Sequence, residues 1–292
     1  MQTGTHVLGS SNGRCARCPV RDLGVCRGLS TADRSALAAQ SYHSIVEAGT
    51  TILDQDERSD RVGIVASGFA KVVYATEEGN EQLLQLLHPG DLVGDPTGAR
   101  NAVAWEAATD MTFCWLPLKK LVALFHEQPG LYPGILKAVV QQAEVSQIWS
   151  AELRGRNTVQ RVAYWLLTQI PARSRTNGSP VVNIQLTRRD LASYLDMSAE
   201  TLCRALHSLA DRNAISILAP DQIKVNEIAR LRVQAKCVEE RVLNRLRPDT
   251  MHDTRSVTDI VVAKRTVRQP EQRAAVSENA QYVRFASTRA AS

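Results

Sequence analysis

The stretch between residues 187 and 225 constrains the fold of this chain most, because two amphipathic segments are followed there by two short apolar ones. Thr187 is suited to cap a helix over RRDLASYL, and Asp190 at its third position favours a start that resembles a capping box. After the turn Asp196-Met197-Ser198, Ser198 is suited to cap a second helix over AETLCRALHSLADRN. The strands ISILAP and QIKVN come next. Helix, three-residue turn, helix and β-hairpin is the order of a winged helix-turn-helix.

The second helix of such a motif enters the major groove of DNA with its amino-terminal residues at the base edges. Glu200 and Arg204 share one face of that helix, because they are four residues apart. We predict that Arg204 binds guanine and that Glu200 accepts from cytosine. An ordinary surface salt bridge between the two is the open alternative. Thr187, Arg188 and Arg189 begin the preceding helix, where a phosphate can be held. The predicted DNA-binding set is Thr187, Arg188, Arg189, Ser198, Ala199, Glu200, Cys203 and Arg204.

Short apolar runs broken by turn residues recur between residues 50 and 115, for example FAKVVYAT before Glu77-Glu78-Gly79-Asn80. This pattern predicts a small antiparallel roll or barrel. Beyond it, apolar residues recur at spacings of three and four and predict a long helix that ends near Arg154. Packing on the chain's own roll and pairing with a second copy are equally supported by so short a repeat. The predicted dimerisation positions are Ile135, Val139, Val145 and Trp149.

Three of the six cysteines, Cys15, Cys18 and Cys26, fall within twelve residues near the amino terminus. The start lacks the features of a secretory signal and no apolar run is long enough to span a membrane, so we expect a cytoplasmic protein. Clustered cysteines in that reducing compartment bind metal or react more often than they form disulfides. Their spacing alone leaves an iron–sulfur cluster, a zinc ion and reactive thiols open. Cys237 is predicted to be a small buried hydrophobic residue.

The sequence offers little support for an enzyme, since we find no Ser/His/Asp constellation, no phosphate-binding glycine loop and no HExxH motif. The six histidines are scattered without ligand spacing. A net charge of +5 is compatible with a polyanionic partner but is mild for 292 residues. An iron–sulfur electron carrier or a thiol enzyme is the alternative of a different class, and specific binding to a palindromic operator would argue against it.

The order of roll, long helix and winged helix-turn-helix resembles the CRP/FNR family of bacterial transcription regulators. The resemblance covers about residues 14 to 235. It is carried by GIVASGFAKVVYATEEGNEQLLQLLHPGDLVGD and by LTRRDLASYLDMSAETLCRALHSLADRNAI. Glu200, Cys203 and Arg204 match the FNR-type pattern, except that Cys203 stands where that pattern has serine. A thiol is a weaker hydrogen-bond donor and acceptor than a hydroxyl, so the base contact there, usually to thymine in the family, is expected to weaken.

The resemblance also implies a cofactor. Oxygen sensors of this family hold a [4Fe–4S] cluster with an amino-terminal group of cysteines and one distant cysteine in the roll. Cys15, Cys18 and Cys26 match the group, and Cys114 in MTFCWLPLKKL matches the distant ligand. A structural zinc or an empty site is the alternative within the same fold. Cluster insertion would then pin the segment from Gly13 to Gly28 against the roll.

The function implied by the resemblance is that of an oxygen-responsive transcription activator, although the sequence leaves activation and repression both open. Pinning the segment would bias the long helix toward a homodimer. The two recognition helices would then lie one DNA turn apart on a palindromic operator, with RNA polymerase as a further partner.

Other members of the family bind a cyclic nucleotide in the roll through a Gly-Glu pair and an Arg-Ser/Thr-Ala sequence. The equivalents here are Gly94-Asp95 and Arg100-Asn101-Ala102, which lack the glutamate and the hydroxyl. We therefore predict no cyclic-nucleotide site, and we expect Arg100 to be a solvated loop residue.

The predicted fold class is α+β, with a β-roll of the cyclic-nucleotide-binding type, a long dimerisation helix and a winged helix-turn-helix. The predicted segments are 1–28, rich in cysteine; 29–128, the β-roll sensor domain; 129–156, the dimerisation helix and hinge; 157–235, the DNA-binding domain; and 236–292, a carboxy-terminal extension. The extension is polar and mixed in charge, so it is predicted to be largely disordered.

Overall fold

The computed structural model describes residues 6–10, 15, 18–170 and 179–237. The strands of the amino-terminal part are β1 (His6–Ser10), β2 (Tyr42–Val46), β3 (Thr51–Leu53), β4 (Arg61–Ser67), β5 (Ala70–Ala75), β6 (Glu81–Leu87), β7 (Leu92–Val93), β8 (Ala104–Ala107) and β9 (Met111–Pro117). The carboxy-terminal part contains β10 (Val181–Asn183), β11 (Ile215–Ala219) and β12 (Gln222–Val225). The helices are α1 (Gly24–Arg27), α2 (Thr31–Gln40), α3 (Leu118–Glu127), α4 (Leu131–Arg154), α5 (Thr158–Gln169), α6 (Arg188–Tyr194), α7 (Ala199–Asp211) and α8 (Ile228–Ala235).

The predicted extension lies outside the described residues from position 238 onward. In the part of the chain that the structure describes, no helix is both long and apolar enough to cross a membrane.

The first nine strands form two antiparallel sheets that share one apolar core. The sheets have the orders β1-β2-β9-β4-β7 and β3-β8-β5-β6. Phe113 and Trp115 on β9 are buried in the core between them. The Trp115 indole N–H donates to Ser44 Oγ at 2.8 Å, so its polar atom is satisfied inside the core. The antiparallel roll predicted between residues 50 and 115 is therefore confirmed.

The long helix α4 packs on its own chain along one face. Ile135 is buried against the roll near the start of the helix, and Trp149 is buried against the DNA-binding domain near its end. Two of the four predicted dimerisation positions are therefore wrong, because these side chains belong to the core of one protomer. The outward apolar positions of the helix are Tyr132, Leu136 and Val140.

The remaining two predicted positions, Val139 and Val145, are half-buried. Val139 packs against the same apolar cluster as Ile135. The period of three and four identifies the apolar residues of a helix, but it does not say which of two apolar stripes faces the protomer's own core.

The carboxy-terminal part has the predicted order of helix, turn, helix and hairpin. The Asp190 amide donates to Thr187 Oγ1 at 3.0 Å at the start of α6, and the Thr201 amide donates to Ser198 Oγ at 3.2 Å at the start of α7. Leu191 and Leu202 are fully buried where the two helices meet. The hairpin of β11 and β12 follows as the wing, and β10, which precedes α6 in the chain, pairs with β12 in the same sheet. Both predicted caps and the winged helix-turn-helix are confirmed.

The predicted hinge at Arg154-Gly155-Arg156 is where α4 ends. The Arg156 guanidinium lies 4.0 Å from the centre of the Tyr164 ring and donates through Nε to the Ala235 carbonyl at 3.0 Å. Arg161 donates to the Leu153 carbonyl at 2.9 Å. These arginines tie the end of α4 to the DNA-binding domain.

The roll also contacts the first helix of the DNA-binding motif directly. Lys71 on β5 lies 3.0 Å from Glu106 and 3.1 Å from Asp190 of α6. The Leu83 amide on β6 donates to Ser193 Oγ at 3.2 Å. The DNA-binding domain is therefore held against the roll by polar contacts that the sequence did not indicate.

Candidate functional site

The structure brings the four predicted ligand cysteines together beside strand β9 of the roll. Cys114 lies in the middle of β9, where it pairs with His43 of β2 and Ile64 of β4. Cys18 and Cys26 pack against the apolar cluster to which Cys114 belongs. Cys15 interacts electrostatically with both Cys26 and Cys114. Residues that are far apart in sequence therefore form one group of thiols.

A close approach of two backbones brings the cysteine segment to the roll. Gly24 begins α1 with φ of +43°, and the next amide, that of Val25, donates to the Gly90 carbonyl at 3.3 Å. A Cβ atom on Gly24 would lie 1.9 Å from that carbonyl oxygen. Only glycine combines this φ with such a contact at little cost. Gly24 thus allows the backbone just before Cys26 to approach the roll closely.

Burial makes the thiols of the site hard to ionise while no cation is bound. It raises the pKa of Cys26 to about 12, with a further contribution from the Cys114, Cys18 and Cys15 thiols. It also raises the pKa of Cys114 to about 11, although a hydrogen bond from Ser41 opposes the shift. The pKa values of Cys15 and Cys18 are likewise raised, chiefly by burial. A metal or cluster that binds here must displace protons from these thiols.

The donor set fits a four-cysteine centre, since four thiolates suit both an iron–sulfur cluster and a tetrahedral zinc. Among the described residues, however, no three His, Cys, Asp or Glu side chains are arranged to hold a single metal ion.

A basic residue that the sequence analysis did not single out lies beside the thiols. Arg34 on α2 donates through Nη2 to the carbonyls of Cys26, at 3.0 Å, and Leu29, at 3.2 Å. Its charge lowers the pKa of the Cys15 and Cys26 thiols, against the larger opposite effect of burial. No spacing rule in the sequence connects this arginine to the cysteines.

The cysteine segment also contacts the long helix. Gly28 lies against Gly134 in the first turns of α4, and a Cβ atom on Gly134 would approach Leu29 Cδ2 to 2.8 Å. Leu29 and Ile135 belong to the same apolar cluster as Cys114. A change in the position of the cysteine segment therefore acts on α4 through direct packing.

The recognition helix α7 presents the predicted base-reading side chains to solvent. The side chains of Glu200 and Arg204 are 74% and 75% exposed, and they form a salt bridge with each other. Such an exposed pair is weak, so its partners can exchange for base edges. Three other predicted residues at the start of α7 are also exposed: Ser198, Ala199 and Cys203.

His207 lies one turn further along α7, is exposed, and contacts the Cys203 carbonyl through Nδ1 at 2.8 Å. Sequence reasoning did not single it out, although its spacing of four from Cys203 places it on the same face of α7 as that residue.

The predicted phosphate-binding residues divide into two groups. Thr187 caps α6 and is exposed, and Arg189 is exposed beside it. Arg188 instead is half-buried and donates to the carbonyl of Pro220 in the turn of the wing. Arg188 therefore ties α6 to the wing, and the phosphate-binding role of Thr187, Arg188 and Arg189 stays a prediction.

The loop that corresponds to the cyclic-nucleotide site is bonded internally. Arg100 is exposed, as predicted, and donates to the Asp56 carbonyl at 2.7 Å. Asn101 is buried, where it accepts from Ser59 Oγ at 3.1 Å and donates to the Asp54 carbonyl at 2.9 Å. The amide thus has a structural role, and the absence of a nucleotide site stays a prediction.

The two remaining cysteines lie away from the four gathered thiols. Cys203 is exposed on α7. Cys237 follows α8 and is half-buried against the core of the DNA-binding domain, which is less enclosed than predicted.

Comparison with known protein families agrees with this architecture. Residues 160–233 match the family described as a Crp-like helix-turn-helix domain, and residues 44–128 match the family described as a cyclic nucleotide-binding domain. Together the two matches cover more than half of the chain.

Similar proteins extend over both domains. The transcriptional activator protein FnrL of Cereibacter sphaeroides is 28% identical over 230 residues, which are 76% of this chain and 92% of that protein. The nitrogen fixation regulation protein FixK of Bradyrhizobium diazoefficiens is 23% identical over 214 residues, which are 73% of this chain and 90% of that protein. The solved structure of FixK2 from Bradyrhizobium japonicum has the same fold, with a TM-score of 0.59 and 20% identity over 68% of this chain and 99% of that one.

The relatives are transcription regulators rather than enzymes, and they share the roll and the helix-turn-helix described above. The chain belongs to the CRP/FNR family of DNA-binding transcription regulators.

Proposed function

We propose that this protein is an oxygen-responsive transcription activator whose signal is received by a [4Fe–4S] cluster. Cys15, Cys18, Cys26 and Cys114 would hold the cluster. The observation that carries the proposal is the gathering of these four thiols, from two distant parts of the sequence, around one buried apolar surface. In the reducing cytoplasm, where we place the protein, such thiols bind metal more readily than they form disulfides.

The cluster would supply a centre whose integrity depends on oxygen. The chain's own residues would enclose and orient it. The Val20 backbone N–H bonds the Cys18 sulfur, and such bonds tune a cluster's potential. A structural zinc stays the alternative within the same fold, since four thiolates also suit a tetrahedral zinc ion.

The signal would reach DNA through α4. A bound cluster fixes the cysteine segment, and that segment packs on Gly134 and Ile135 at the start of the helix. We propose that this contact favours a homodimer, paired through the outward residues Leu136 and Val140 of α4. The dimer would present its two α7 helices about 34 Å apart, one turn of DNA, on a palindromic operator. RNA polymerase is the partner that an activator of this kind requires, and the activating role rests on the relative named above.

The first experiment measures the visible absorption spectrum and the iron, sulfide and zinc content of protein purified without oxygen, before and after exposure to air. We expect a brown chromophore with equal iron and sulfide that bleaches in air and is missing in Cys114→Ala. Cys203→Ser and Cys237→Ser are matched controls, because these cysteines lie away from the site, and they should keep the chromophore. A colourless wild-type protein with stoichiometric zinc would overturn the cluster.

A second experiment tests the switch itself. Operator affinity and dimer mass are measured anaerobically and again after complete cluster loss in air. We expect the dimer to dissociate and the affinity to fall. A dimer that keeps full DNA affinity without its cluster would show that the cluster does not control binding.

A further inference from the structure

We infer that Arg34 is a positioning residue of the cysteine site. Arg34 holds the carboxy-terminal end of α1 near Cys26, and it sets how readily a bound cluster gives up an electron to dioxygen. This inference rests on the proposed function above. It concerns a residue on α2, outside the cysteine motif, whose contacts only the folded chain shows.

The first observation is that the hydrogen bonds of Arg34 connect α2 to the end of α1. Helix α1 has four residues, and its last carbonyls need partners beyond the helix itself. Arg34 Nη2 bonds two carbonyls at this end, those of Cys26 and Leu29. Because one guanidinium nitrogen bonds both carbonyls, α2 holds the backbone of Cys26, a predicted ligand, and that of Leu29, which packs on Gly134.

The second observation is an orphaned donor. Arg34 Nε is buried and has no hydrogen-bond partner among the described residues. A buried N–H without a partner costs free energy, so it is retained where an acceptor or a negative charge compensates for it. The Arg34 charge already acts on the thiols of Cys15 and Cys26. Thiolate or sulfide sulfurs of a bound cluster are acceptors of the required kind.

The charge balance gives the direction of the effect. A [4Fe–4S]²⁺ core with four thiolate ligands carries a net negative charge. When air attacks it, one electron leaves the cluster for dioxygen, which becomes superoxide, and the site loses one negative charge. A nearby guanidinium stabilises the more negative state and so opposes this step. The exposed Arg27, beside Cys26 in sequence, is screened by water and should matter little.

The test compares Arg34→Gln, Arg34→Lys and Arg27→Gln, each purified without oxygen with its cluster. The readouts are the midpoint potential of the cluster, from an anaerobic redox titration, and the rate of bleaching in air. In Arg34→Gln we expect a lower potential and bleaching about ten times faster, which corresponds to about 1.4 kcal/mol. Arg34→Lys keeps the charge and should keep a potential close to that of the wild type. Arg27→Gln makes the same change of charge at an exposed position and should resemble the wild type in both readouts.

The outcomes separate this inference from the proposed function. A wild-type protein without iron and sulfide would overturn both. A wild-type protein with a cluster, together with an Arg34→Gln variant of unchanged potential and bleaching rate, would overturn only the role of Arg34. Equal shifts in Arg34→Gln and Arg27→Gln would also overturn it, because the effect would then be one of net charge. If Arg34→Gln takes up no cluster, Arg34→Lys decides: a potential close to that of the wild type supports the role of the charge, and a lowered one contradicts it.

Discussion

Arg204 is the side chain of α7 on which base recognition depends in this interpretation. It is 75% exposed, and its partner Glu200 is equally exposed. Removal of Arg204 should therefore cost little stability, about 0.5 kcal/mol or less. In Arg204→Ala we expect a loss of roughly 1–3 kcal/mol of discrimination between the operator and a variant with the contacted guanine replaced. Competition binding with the two DNA sequences at one salt concentration measures this difference.

Arg212 provides the matched control for that measurement, because it is an exposed arginine at the opposite end of α7 and bonds Gln234. Arg212→Ala should lower the affinity for both DNA sequences to the same extent or leave it unchanged. Unchanged operator preference in Arg204→Ala would leave only the surface salt bridge as the role of this pair.

Individual residues could be predicted from the sequence where their signal is local. Cys15, Cys18 and Cys26 are visible because they are neighbours, and the caps of α6 and α7 are visible because a cap needs only three or four residues. Cys114 could be found only through the family resemblance. Arg34 could not be found at all, because its contact with the carbonyl of Cys26 depends on how α1 and α2 meet. The sequence does not encode that angle in any spacing.

Helix α4 is the element whose two apolar faces have different roles. Its inner face is buried in the protomer, whereas Leu136 and Val140 on the outer face are each 48% exposed. Burial of a leucine stabilises by about 1.5–3 kcal/mol, and a symmetric dimer would bury Leu136 twice. In Leu136→Glu we therefore expect the dimer dissociation constant to rise at least a hundredfold. Sedimentation of the anaerobic protein at several concentrations measures it.

The control on this helix is Gln141→Glu, which adds the same acidic group at an exposed position about 140° around the helix from Leu136. Its dissociation constant should stay close to that of the wild type. A dimer that tolerates Leu136→Glu would show that the protein pairs through another surface.

The order and type of the elements could be predicted, since apolar periodicity and turn residues determine them locally. The face of α4 that packs on its own chain could not be predicted, because Ile135 and Leu136 are both apolar and only the packing of α4 on the roll separates them. Arg188 shows the same limit. Local sequence signals predict that Arg188 lies at the start of α6. Its bond to the wing, however, depends on a hairpin that follows some thirty residues later.

At the scale of the whole molecule, the roll and the DNA-binding domain meet around β6 and α6. Lys71 bonds Asp190, the Leu83 amide bonds Ser193, and Tyr194 stacks on Trp149 with ring centres 4.7 Å apart. None of these pairs has a signature in the sequence, because each joins residues more than forty positions apart. The junction places the first helix of the DNA-binding motif in direct contact with the roll.

Asp91 lies near Tyr194 at this junction, and burial of its carboxyl predicts that the stability of the protein depends on pH. Burial raises the pKa of its carboxyl from 3.8 to about 6, although the His88 amide donates to Asp91 Oδ2 at 2.8 Å and opposes the shift. The charged carboxylate is thus less favourable in the folded state than in the unfolded one. The contribution of this group to stability is fully present below pH 3.8 and is lost as the pH rises through about 6. Asp91→Asn removes that loss and can still accept from the His88 amide.

We therefore expect Asp91→Asn to unfold with nearly the wild-type free energy at pH 4 and to become more stable than the wild type as the pH rises. The difference should reach about 2–3 kcal/mol and stop growing above pH 6 to 7, since the wild-type carboxyl is then fully ionised. Urea unfolding of the cluster-free protein at a series of pH values measures it. Asp211→Asn, at the exposed end of α7, removes the same charge from a solvated position and serves as the control. If the difference in unfolding free energy between Asp91→Asn and wild type is constant across this range, Asp91 is not buried at the junction as described. If the difference grows with pH, ionisation of Asp91 contributes to the interaction between the two domains.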